Sequence, residues 1–215
     1  MKKILAWLLI WASIIASSYA YTTEELKAAN SLAKRWVIND HMMNPSAYNL
    51  DSQVLRQEIA AIARWVAWAK KATKCKKMFK DLTDTKPNTW ACVNVEPLVE
   101  NGLIAKNEYF RPEDPITKTE TLWMLIKSIG FDYSYDSSNP KNWQEQIVDF
   151  AVSKWIVDKF TDYNTYATRG WVFEIADYSI DLKEKEDKLK ENKTYSDEAA
   201  IDKEFWIDIS EILDF

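Results

Sequence analysis

The feature that most constrains this chain lies between Trp90 and Glu120, WACVNVEPLVENGLIAKNEYFRPEDPITKTE. Val95, Leu98 and Val99 share one helical face, and Asn101-Gly102 stops that helix, because glycine takes the left-handed backbone of a helix C-terminus without steric cost. Leu103 and Ile104 then turn back onto the face. A loop without regular period follows through Phe110 and Pro112, and Thr117 with Glu120 forms the Ser/Thr-x-x-Glu box that opens a second helix, expected over 119–129. The unit is helix, glycine stop, loop, capped helix.

A unit this short cannot bury a core alone, so its recurrence decides the fold. It recurs twice. Trp143 opens a helix with Val148, Ala151, Val152 and Trp155 at 5, 8, 9 and 12 residues on, the offsets of Val95, Leu98, Val99 and Gly102 from Trp90. Glu24 opens another, with Ala29, Leu32, Ala33 and Trp36 at those offsets. Each stop precedes two apolar residues. Each copy then reaches a short segment carrying a cation: Val54-Leu55-Arg56-Gln57-Glu58, Ile116-Thr117-Lys118-Thr119-Glu120 and Ala167-Thr168-Arg169-Gly170-Trp171. A cation at a helix start either completes an anion site with the free backbone N–H groups or pairs with a neighbouring acid such as Glu58 or Glu120.

Phe79-Lys80-Asp81 leading into Trp90-Ala91, then Asn101-Gly102-Leu103-Ile104, Phe110-Arg111-Pro112 and Ile116 to Glu120, resembles the surface-layer homology (SLH) domain. With the matched spacing of the outer copies, three SLH-like repeats cover about 22–70, 76–130 and 141–180. The resemblance implies an all-α domain of three helix-loop-helix repeats in a pseudo-threefold arrangement, with Trp90 and Trp143 in equivalent buried positions. It also implies a function, because such domains hold anionic, often pyruvate-bearing, cell-wall polysaccharide in clefts between repeats. Their motif is Ile-Thr-Arg-Ala-Glu, and its Arg contacts the sugar acid. Arg56 and Arg169 match that Arg, Lys118 replaces it, Glu58 and Glu120 match the Glu, and Trp171 stands where the third Glu belongs. Trp90 and Trp143, at the family's tryptophan position, complete the implied glycan-binding set.

Residues 1–20 read as a removable secretion signal: Lys2 and Lys3, an apolar run from Ile4 to Ala16, and small residues at Ser18 and Ala20. The alternative is an uncleaved anchor, for which the run is short. Cleavage would remove two lysines and take the formal charge from -5 to -7, an acidic balance that argues against a nucleic-acid partner. An exported chain meets oxidising conditions, so Cys75 and Cys92 are expected to pair; two separate buried thiols are the alternative. His41, beside Met42 and Met43, reads as a packing or surface residue, and no metal or cofactor is expected.

No Ser/His/Asp set, phosphate loop or HExxH motif appears, so no enzyme is expected. The leading expectation is a non-catalytic cell-envelope protein anchored noncovalently to an anionic wall polysaccharide. A structural or protein-binding envelope module without glycan binding is the alternative, and a wall-acting glycoside hydrolase is a distant one. Residues 181–215 read as a charged linker, with Glu184 and Lys188 four apart, and then a short amphipathic helix carrying Ala200, Ile201, Phe205, Ile209, Ile212 and Leu213. That apolar stripe packs back on the domain or meets an envelope protein partner.

The tryptophans are unevenly placed. Glycine appears 3 times in 215 residues while tryptophan appears 11 times, and Trp36 and Trp155 fill the helix stop where the middle unit has Gly102. Trp65 and Trp68 crowd the end of the helix after Glu58. A gene whose UGA codons mean glycine would give this pattern when UGA is read as tryptophan. The expectation is glycine at Trp36, Trp155, Trp65, Trp68 and Trp123, and true tryptophan at Trp90 and Trp143; a lineage that tolerates tryptophan there is the alternative.

Overall fold

The computed structural model describes residues 21–83 and 90–212, with side chains placed through Glu191. The expected signal segment, residues 1–20, lies outside the described residues. Six α-helices are present among them: α1 Thr23–Lys34, α2 Arg56–Val66, α3 Ala91–Glu100, α4 Lys118–Ile129, α5 Trp143–Ser153 and α6 Arg169–Ile212. A 3-10 turn, Pro45–Tyr48, precedes α2. The described residues hold no strand, only isolated bridges. The chain is all-α.

The helix starts follow from side-chain chemistry. Thr22 and Thr117 form capping boxes with Glu25 and Glu120, and Asn142 accepts from the Glu145 N–H at 2.9 Å. The ends of α1, α3 and α5 share one geometry. Gly102 sits at φ 68, and its N–H and that of Leu103 donate back to Val99 and Leu98. Trp36 and Trp155, both at φ 60, repeat this pattern with Ala33 and Leu32, and with Val152 and Ala151. Their indoles point into solvent, 88% and 86% exposed.

The packing pairs elements across the sequence units. α2, α4 and α6 contact one another pairwise, while α3 lies on α2, α5 on α4 and α1 on α6. Each capped helix therefore carries the first helix of the following unit, and the first unit closes onto the third. Leu32, Ile59, Leu98, Leu122, Leu125, Ile147, Val172 and Ala176 are wholly buried in these contacts. A ring of backbone hydrogen bonds lies beneath: Val54 N–H donates to Ala167, Ala167 to Ile116 and Ile116 to Val54, at 2.9, 2.9 and 3.0 Å. Each of the three is at most 1% exposed.

The C-terminal tail is helical as expected, but without the expected linker before it. Instead of a linker after residue 180, α6 continues unbroken to Ile212. Its charged run is not merely a solvated face, because Arg35, the residue that follows α1, reaches Asp181 at 2.7 Å, Glu184 at 3.3 Å and Asp177 at 3.8 Å. Glu184 thus serves α1 rather than Lys188. The apolar stripe from Ala200 to Ile212 lies on helical backbone, and Leu213 and the side chains of the stripe lie outside the described residues.

Asp177 also accepts from Ser31 Oγ at 2.6 Å, and burial raises its carboxyl above the ordinary range against the pull of Ser31 and Arg35. The folded chain holds that proton more strongly than the unfolded one. Its contribution to stability is therefore full below the ordinary aspartate range and is lost as pH rises through the raised value. Asp177→Asn keeps the Ser31 contact and should flatten this part of the stability profile in urea titrations between about pH 3 and about pH 7.

Cys75 and Cys92 are bonded, with Cα atoms 5.5 Å apart. Near this link the fully buried Glu96 accepts from the backbone N–H groups of Lys76 and Met78 at 2.6 and 2.9 Å. Trp90 and Trp143 are not equivalent. Trp90 is the residue before α3, with no side-chain capping bond and 37% exposed, whereas Trp143 begins α5 and meets Trp123 edge to face at 6.1 Å. The shared spacing reaches the helix stop, where the backbone must turn; it does not extend to what surrounds each indole.

Candidate functional site

The segments before α2, α4 and α6 lie against one another, so each cation meets an adjoining unit. Arg56 Nη1 donates to Glu120 Oε1 at 2.7 Å, and Arg56 Nε donates to the Phe110 carbonyl at 2.9 Å. Arg169 repeats this with Glu58 Oε1 at 2.6 Å and the Tyr48 carbonyl at 2.9 Å. The second oxygen of each Glu accepts the N–H at its own helix start, Thr117 at 3.1 Å for Glu120 and Leu55 at 2.9 Å for Glu58. These two carboxylates cap a helix and clamp an arginine together. The cations do pair with Glu58 and Glu120, but between units and not within one.

The third position breaks the pattern. Trp171 stands where a carboxylate would meet Lys118, and Lys118 makes no ion pair among the described residues. Its ammonium lies over the Trp171 and Phe160 rings, 5.2 and 5.8 Å from their centroids. It borders a cleft of about 510 Å³ lined also by Trp155, Lys159, Glu174 and Tyr178.

A second cleft, about 430 Å³, opens beside Arg56 and Glu120. Its walls carry Tyr109, Phe110, Trp123, Tyr135 and Trp143. Aromatic faces beside a cation suit a sugar ring bearing an acid, with apolar C–H surface on the rings and the charge on the guanidinium. Of the implied tryptophans, Trp143 joins Arg56 here and Trp90 does not. Among the described residues no group of His, Cys, Asp and Glu could hold a metal ion, and His41 meets Tyr48 edge to face at 5.3 Å.

Of the aromatic walls, Tyr109, Tyr135, Phe160 and Tyr178 escape sequence reasoning. Tyr48 and Phe110 each precede the buried residue of their ring segment, Val54 or Ile116, by six positions, and Phe160 precedes Ala167 by seven. That spacing is the signal that could have found Phe160. Asp81 fixes the Phe110 loop by accepting from the N–H groups of Phe110 and Arg111 at 2.9 and 2.6 Å.

No family model matches the chain. The chain is similar to the Middle cell wall protein of Brevibacillus brevis, 25% identical over 135 residues that make up 62% of this chain. It spans 12% of that relative's length. No described helix is long and apolar enough to cross a membrane.

Proposed function

We propose that the chain, like the relative named for the cell wall, belongs to the cell envelope, and that it attaches there by binding an anionic wall polysaccharide without catalysing a reaction. The three units are read as SLH-like repeats around a pseudo-threefold axis. The observation that carries this reading is Lys118, a cation at a helix start in an aromatic cleft, which makes no ion pair among the described residues although Asp158 and Glu174 line the same cleft. A sugar carboxylate placed there would supply the acid that the Lys118 ammonium lacks. Arg56 borders a second aromatic cleft but is already held by Glu120, so it offers an anion less of its capacity.

Sedimentation with purified wall polysaccharide tests the reading. The protein should co-sediment, and Lys118→Ala should weaken binding about tenfold, roughly 1.4 kcal/mol. Lys118→Arg should keep or improve it, since a guanidinium grips a carboxylate through two bonds. Polysaccharide stripped of its acidic groups should not bind. No binding by the unaltered protein would favour a structural envelope module, the reading that the internal pairing of Arg56 and Arg169 supports.

A further inference from the structure

Residues 36, 68 and 155 share a backbone that tryptophan does not favour. Trp36, Trp68 and Trp155 lie at φ 60, 53 and 60, and each has a glycine counterpart in the middle unit. Trp36 and Trp155 stand where Gly102 stands, 12 residues on from Glu24 and Trp143 as Gly102 is from Trp90. Trp68 stands 14 residues after Val54, as Gly130 stands 14 after Ile116. Gly102 and Gly130 are left-handed too, at φ 68 and 89. A Cβ on Gly102 would meet nothing within 4 Å, so what the position constrains is the backbone.

The other left-handed residues do not weaken the pattern. Asn49 and Arg111 are a matched pair, each following the aromatic Tyr48 or Phe110, so the bend there belongs to both units with ordinary side chains. Lys77 stands alone, in the segment beside the disulfide. Nor do the three tryptophans act as core. Trp36 and Trp155 are among the most exposed large apolar residues, and Trp68 is 46% exposed. Trp65 and Trp123, by contrast, have right-handed helical backbone; the Trp123 ring packs against Tyr133 and Trp143, and the Trp65 ring meets Trp68 itself at 4.9 Å. Conformation gives no reason for glycine at those two.

We propose that positions 36, 68 and 155 are glycine in the protein made by its own cell, inserted at UGA codons that the organism reads as glycine. Position 155 also lines the Lys118 cleft, so glycine there removes an exposed indole from its rim. That consequence depends on the proposed function; the identity of the residues does not.

Peptide mass spectrometry of protein recovered from the native cells decides the matter. Cleavage after Arg35, Arg64 and Lys154 places each position at or near the start of its own peptide. The expected masses are lower by the difference between a tryptophan and a glycine residue at 36, at 68 and at 155, with tryptophan retained at 143. Fragmentation of the peptide from residue 65 to Lys70 locates the change at 68. Tryptophan at any of the three positions overturns the assignment there, and UGG codons at all three overturn it altogether. Glycan binding is not part of this readout, so its failure and that of the proposed function remain distinct.

Discussion

An Arg56→Ala, Arg169→Ala double variant should lose about 3 to 6 kcal/mol of folding stability, from hydrogen bonds to charged groups worth about 1.5 to 3 kcal/mol at each site. Each arginine ties two units through a carboxylate and a backbone carbonyl. Removing it leaves a glutamate oxygen without its guanidinium in a partly buried seam. The carboxylates are 29% exposed, which places the loss toward the lower end. Against a total of about 5 to 15 kcal/mol, the double variant approaches the edge of folding. Urea titration followed by circular dichroism measures it, with Arg→Lys variants, which keep the charge and lose the fork, falling between. A double variant as stable as the parent would mean that these arginines are idle in the fold and held for a ligand.

Loss of the disulfide should cost about 3 kcal/mol in the chain-entropy model, given a separation of 17 residues between the two cysteines. Cys75→Ser is the cleaner probe, because Cys75 is half-buried while Cys92 is wholly buried on α3. The Glu96 bonds to the Lys76 and Met78 N–H groups remain when the sulfurs separate. The segment should therefore loosen locally before α3 leaves α2. Melting with and without reductant checks this: the parent should shift downward on reduction to match Cys75→Ser, and the variant should not respond. A parent indifferent to reductant would show that the bond constrains little in the unfolded chain.

What could be read from the sequence was what local chemistry dictates. Thr117 with Glu120 gave the start of α4, and the stop spacing from Trp90, Trp143 and Glu24 gave the ends of α3, α5 and α1, because capping and left-handed closure depend on neighbours in the chain. The alternation of arginine and glutamate was visible, but its wiring was not. Which carboxylate meets Arg56 depends on which units adjoin, and that follows from tertiary packing. The same limit hid the clamp of α1 on α6 through Arg35, since the charged run after Ile180 carries no mark of a partner more than a hundred residues earlier. Trp90 shows the converse: the same spacing to the helix stop left it before α3 and exposed, while Trp143 begins α5 against Trp123.

The ring of hydrogen bonds through Val54, Ile116 and Ala167 also imposes an order in time. Two of its links join units adjacent in the chain, whereas the third joins Val54 to Ala167 and accompanies the packing of α1 on α6. The entropy of closing that long loop must be met before its contacts return anything, so closure is expected to come late in folding. During synthesis α1 stays without its partner surface until the chain beyond Arg169 has emerged. Until then, the apolar face of α1 bearing Ala28, Ala29 and Leu32 lies open to other chains.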